Sequence, residues 1–253
     1  MSTQEKLDKL FDGWKKKHKK EFEKDKEGIY KKTEEYYKAF ASDGLIGKNN
    51  QWDSLAKDKN KVLYILVEPN WAADKEIKDD YFWFQDVVYS NGKDGDKQLK
   101  GGQLLYNLAI AQCLLEPKDY KPEDFDLNDF KLRDFRPKED DFESLKNAAY
   151  MNLKKRGGGA ARIDKNLDDY IKHYHKEIIE EIEEMNPDII VCCGKSIDKK
   201  LKDWLGKSKI SSKIISCYHP SYRGGYESFF NNLKENYDAW LKNKKKVIRS
   251  VCN

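Results

Sequence analysis

No apolar run in the 253-residue sequence approaches the length needed to span a bilayer, and the N-terminus, MSTQEKLDKLFDGWKKKHKK, lacks the apolar stretch of a secretory leader. Both absences lead to the expectation of a soluble, cytoplasmic protein with no membrane partner. Cysteine is scarce: Cys113, Cys192, Cys193, Cys217 and Cys252 form an odd set without a CxxC pair, and three of them fall in apolar stretches that read as strands. They are read as small buried apolar residues, so no zinc site, no iron–sulfur cluster and no cofactor is expected. A strong field of one sign is missing too. Lys+Arg 49 against Asp+Glu 45 leaves +4, so any contact with a polyanion has to come from local clustering of cations. Histidine offers no metal pair either, because His173 and His175 lie two apart on an expected helix and do not share a face.

What is present is charge and aromatic surface. Charged residues make up 37% of the chain and aromatics 13%, too many rings for a disordered polymer, which implies an aromatic-rich core under a densely charged exterior. The length suits one α/β domain over residues 1–253. Within it, residues 1–58 read as a helical extension packed on a core at 61–245. Leu7, Leu10, Phe11, Trp14 and Phe22 recur among charges at helical spacing, with a break near Gly28. Val62 to Val67 is a continuous apolar, β-branched run stopped at Pro69, as expected of a strand buried on both faces. GGQLLYNLAIAQCLL, ending at Leu115, reads as a buried helix, and a polar loop follows it. Further strands are expected at Ala148–Leu153, Asp188–Cys193 and Lys213–Tyr218. Helices are expected at Leu167–Met185, Ser196–Leu205 and Ser228–Lys242, the first ended by Asn186-Pro187. Four strands separated by helices imply a parallel sheet with helices on both faces, and such sheets collect ligands beyond the carboxyl ends of their strands.

That rule singles out the residues just past each strand. They are Glu68-Pro69-Asn70-Trp71, then Asn152 and the turn after it, then Gly194-Lys195-Ser196, and finally His219-Pro220-Ser221. The glycine–lysine–serine triplet is not a phosphate loop, because Ile189 stands where that motif requires its first glycine; Ser196 is a helix cap instead. In Tyr81-Phe82-Trp83-Phe84 there are rings suited either to stacking or to core packing. The turn Lys154-Lys155-Arg156-Gly157-Gly158-Gly159 combines cations with exposed N–H groups and would admit a phosphate backbone, its alternative being a solvated turn.

In the order Ile65-Leu66-Val67-Glu68-Pro69-Asn70, Tyr150-Met151-Asn152-Leu153 and Cys217-Tyr218-His219-Pro220-Ser221, the chain resembles the uracil-DNA glycosylase superfamily. The resemblance implies a three-layer α/β/α sandwich on a four-stranded parallel sheet. It implies removal of uracil or a related damaged base from DNA by base flipping and metal-free water attack, in a monomer. Residue by residue, it assigns His219 to stabilising the leaving base and Glu68 to orienting water or favouring the cationic sugar. Asn152 would bond the base edge, and Phe82 or Phe84 would stack on it beside Pro69 and Asn70. Ser221, Tyr222 and Arg223 would contact DNA together with Lys154, Lys155, Arg156 and Gly157. Two departures from the family pattern bear on base preference: Leu66 stands where glycine is common, and Asn70-Trp71 replaces the residue that shapes the pocket. A noncatalytic nucleic-acid or nucleotide-binding module of the same fold and an N-glycoside hydrolase of free nucleosides are the alternatives.

Overall fold

The computed structural model describes residues 1–24, 40–48, 50–67, 85, 88–89, 102–118, 143–155, 167–194, 197–205, 208, 210–221 and 225–251. The first element is helix α1 (Thr3–Lys24). Its start is a capping box: Ser2 N–H donates to Glu5 Oε2 at 2.7 Å and Glu5 N–H to Ser2 Oγ at 3.3 Å, so each side chain satisfies the other's backbone donor. From there Leu7, Phe11 and Trp14 form a buried stripe along one face. Next come the short strand β1 (Gly44–Leu45) and the central strand β2 (Val62–Leu66), whose five residues are all buried. Helix α2 (Gly102–Leu115) is apolar nearly all round, as befits a helix enclosed on several sides.

A single 3-10 turn (Ser144–Asn147) leads into β3 (Ala148–Asn152). Helices α3 (Leu167–His173) and α4 (His175–Met185) follow. The sequence predicts one helix here; the structure bends it at Tyr174, whose ring is buried against Tyr170 and Trp14. Across the bend Tyr174 N–H still reaches Tyr170 O at 2.9 Å and Ile178 N–H reaches Tyr174 O at 3.0 Å, so the ladder turns without being lost. Asn186, in the left-handed region at φ 45°, closes α4 by donating to Ile182 O. The chain continues through β4 (Ile189–Cys193), α5 (Ile197–Leu205), β5 (Lys213–Cys217) and α6 (Gly225–Val251).

The sheet runs β1-β3-β2-β4-β5. Four strands are parallel, as expected from sequence, and β1 adds a fifth, antiparallel to β3. One core lies on the face of Val62, Tyr64 and Leu66, under α2 and α6. The other lies on the face of Leu63 and Ile65, under α1, α3, α4 and α5. Three layers result. Helix α2, which follows β2 in the chain, packs on one face and α5, which follows β4, on the other, so the helices after these adjacent strands diverge to opposite faces, which is where open α/β sheets place their crevice.

Candidate active site

Strand register decides which predicted residues meet. Leu66 pairs with Asn152, and the ladder runs on as Leu153 N–H to Leu66 O and Lys154 N–H to Val67 O, both 3.0 Å. Asn152 therefore sits beside the strand end that leads to Glu68. On the other flank, Cys193 pairs with Cys217, two residues before His219. The carboxyl edge thus carries Asn152 and His219 on either side of the point where the connections diverge. Glu68, Pro69, Asn70, Phe82, Phe84, Arg156, Gly157, Tyr222 and Arg223 lie outside the described residues.

His219 is held by its neighbours on three sides. The backbone N–H of Tyr218 donates to Asn232 Oδ1 at 3.0 Å, and Asn107 Nδ2, buried on α2, donates to Pro220 O at 2.5 Å. Ser221 N–H lies 3.1 Å from His219 Nδ1. A backbone N–H only donates, so Nδ1 is the accepting nitrogen and Nε2 carries the proton of the neutral ring. The residue is exposed, yet the protein packed around the rest of the imidazole strips water from it and holds its pKa below the ordinary histidine value. A neutral ring presenting a single N–H is the outcome. Ser221 is exposed and its described role is this backbone contact.

Asn152 is buried and its amide is bracketed. Asp43 Oδ2 accepts from Asn152 N–H at 2.6 Å and from Nδ2 at 3.1 Å, while the Tyr150 hydroxyl donates to Oδ1 at 3.5 Å. Burial, with the charge of Asp43 second, raises the Tyr150 pKa far above its ordinary value, so the hydroxyl keeps its proton and remains a donor.

Lys154 and Lys155 overturn the expectation of a phosphate-binding turn at their positions: they are 1% and 0% exposed. Lys155 Nζ is bonded to Asp43 Oδ1 and lies 2.8 Å from Glu181 Oε1 and 2.7 Å from Oε2, over the rings of Phe11 and Trp14. Two carboxylates inside the protein take up its charge, and no phosphate can reach it. Burial dominates at Glu181 and raises its pKa well above the ordinary carboxylate range, more than the Lys155 charge lowers it. Asp43, Glu181 and Asn107 carry no signature in the sequence that marks them out, whereas Tyr150 stands in the same motif as Asn152.

A cavity of about 610 Å³ opens along the β1 edge between α1 and residues 42–53. Its lining includes Asp43 but neither Asn152 nor His219, so it is separate from the carboxyl-edge site. Cys192, Cys193 and Cys217 are buried, and among the described residues no three His, Cys, Asp or Glu side chains cluster as a metal site would require. No helix among them is long and apolar enough to cross a membrane.

The family model of the uracil DNA glycosylase superfamily matches residues 102–242, more than half of the chain. The chain belongs to the uracil DNA glycosylase superfamily. No curated protein and no solved structure gives a significant match. The superfamily match takes in α2, β3 with Asn152, the whole of β4 and β5, and His219, and so covers both described flanks of the crevice. Glu68 and Asp43 precede it. This superfamily member has the family's α/β architecture, with one more strand than the sequence led us to expect.

Proposed function

We propose that this chain hydrolyses the N-glycosidic bond of uracil or a related damaged base in DNA, acting as a one-domain monomer. The observation that carries the reading is His219. It stands at the carboxyl edge inside the superfamily match, with Nδ1 occupied by Ser221 N–H and its remaining N–H on Nε2. Breaking the glycosidic bond puts negative charge on the departing base and positive charge on the sugar. In the proposed step Nε2–H donates to the base oxygen where that charge develops, the sugar–base bond breaks with its electron pair leaving on the base, and Glu68 orients the water whose oxygen bonds the sugar carbon and whose released proton neutralises the departed base. Phe82 or Phe84 stacks on the flipped base beside Pro69 and Asn70, and Asn152 bonds its polar edge. Arg156, Gly157, Ser221, Tyr222 and Arg223 are the proposed DNA contacts.

The test is abasic-site formation in an oligonucleotide carrying one uracil, read as strand cleavage after alkali. We expect the wild-type chain to produce it. His219→Ala should lower kcat by roughly 10²- to 10³-fold, the usual loss for one preorganised donor to a developing anion. Activity should also fall as pH drops below the ordinary histidine value and through the lowered pKa of His219, because protonation at Nδ1 removes the acceptor for Ser221 N–H. Intact uracil DNA after hours with folded wild-type protein would sink the proposal.

A second reading gains from the inward turn of Lys154 and Lys155, which removes part of the expected phosphate track. Under it the substrate is a free nucleoside or nucleotide. Faster turnover of free deoxyuridine than of uracil in DNA would favour it.

A further inference from the structure

The segment between α1 and β1 has no assigned role, and it delivers a buried carboxylate to the amide proposed to read the base. Asp43 Oδ2 accepts both the backbone N–H and the Nδ2 of Asn152, while its other oxygen is tied to Lys155. A carboxylate can face the nitrogen end of an amide and cannot face the oxygen end without setting acceptor against acceptor. On the opposite flank the Tyr150 hydroxyl donates to Oδ1. Both neighbours favour the same orientation of the amide. The anchor is itself firm, because Asp43 is 4% exposed and Lys155 is backed by Glu181.

Building on the glycosylase reading, we infer that Asp43 is a positioning residue that locks the Asn152 amide in one orientation and so restricts the chain to bases bearing a carbonyl next to a ring N–H. An amide has two N–H bonds and two oxygen lone pairs. In the inferred arrangement Asp43 and Tyr150 take one of each, and the N–H syn to the oxygen and the lone pair beside it form the edge left for the base. That edge complements the C=O and N–H of uracil, and equally those of hypoxanthine. Cytosine and adenine present the reverse, an amino group beside a bare ring nitrogen, so donor would meet donor and lone pair would meet lone pair. Sites built on such bonds reject the mismatched partner because buried polar groups are left unpaired. Deamination is the reaction that converts the second edge into the first, and its products are the substrate class this arrangement selects. Asp43 lies outside the matched residues 102–242, so the selection is supplied by this chain's N-terminal part.

Asp43→Asn tests this with little change of shape, since an amide can turn either its oxygen or its nitrogen toward Asn152. Oligonucleotides bearing one uracil, cytosine, hypoxanthine or adenine are compared by kcat/KM, with a melting curve to check the fold. The ratio of uracil to cytosine should fall roughly 10-fold or more in the variant, in line with what one bidentate contact discriminates. Asp43→Glu, which keeps an obligate acceptor, should retain most of the ratio. An active wild-type chain whose ratio is unmoved in a folded Asp43→Asn variant overturns the inference and leaves the glycosylase reading standing. A wild-type chain inactive on all four bases overturns both. Should Asp43→Asn not fold, Tyr150→Phe removes only the hydroxyl on the other flank; a smaller loss of the ratio supports the lock, and no loss overturns it.

Discussion

Lys155 enters a volume that already contains the carboxyl groups of Asp43 and Glu181, and one ammonium cannot neutralise two anions. Burial answers the imbalance by raising the pKa of Glu181 well above the ordinary carboxylate range, more than the Lys155 charge lowers it, while Lys155 stays bonded to both acids. The consequence is measurable in urea denaturation. Lys155→Met strands the Asp43 charge and should cost about 3 to 5 kcal/mol, the range for removing one member of a buried pair. Glu181→Gln keeps the shape and a hydrogen-bonding oxygen while Lys155 retains Asp43, and should cost less than Lys155→Met. The contrast explains why this residue misleads a reader of the sequence. A lysine pair before three glycines has the composition of a phosphate-binding turn. Its partners lie 112 residues before it and 26 after it, where nothing local announces them. The placement of Asn152 and His219 at strand ends was legible because apolar runs locate the strands. Asp43 was not, being one acid in a chain with 45 of them.

At the scale of elements, the entry to β1 tolerates little change. Gly44 has φ +127°, where side chains are disfavoured, and a Cβ there would stand 3.2 Å from Leu7 Cδ1 of α1. Gly44→Ala should therefore lose about 1 to 3 kcal/mol in thermal melting through backbone strain. Because Asp43 is the preceding residue, the variant should also weaken base discrimination. The elements easiest to read were those set by continuous hydrophobic runs: β2 and β4, both wholly buried, and α2, apolar on nearly every side. A strand of two residues has no period to detect, so β1 was out of reach. The bend at Tyr174 was equally hidden, since its cause is a ring cluster formed with α1 from the far end of the chain. Helix α6 begins earlier than expected and runs later, over Gly225–Val251.

The molecule as a whole divides its work between two parts of the chain. The stretch matched to the superfamily holds Asn152 and His219, while the residues before it contribute the central strand β2, part of both cores and the carboxylate under Asn152. The segment around β1 has a further consequence. Ala41 N–H bonds Lys155 O at 2.6 Å and Ile46 N–H bonds Ala148 O at 3.1 Å, so residues 41–46 cover the outer border of β3 along its whole length. Uncovered, that border would offer a flat, apolar row of peptide groups to any other copy of the chain. A truncation that starts at residue 47 should accordingly self-associate, with growing light scattering and an infrared band for intermolecular β-structure that the full-length chain does not develop. The segment that tunes the site is also what keeps one molecule from becoming the template for the next.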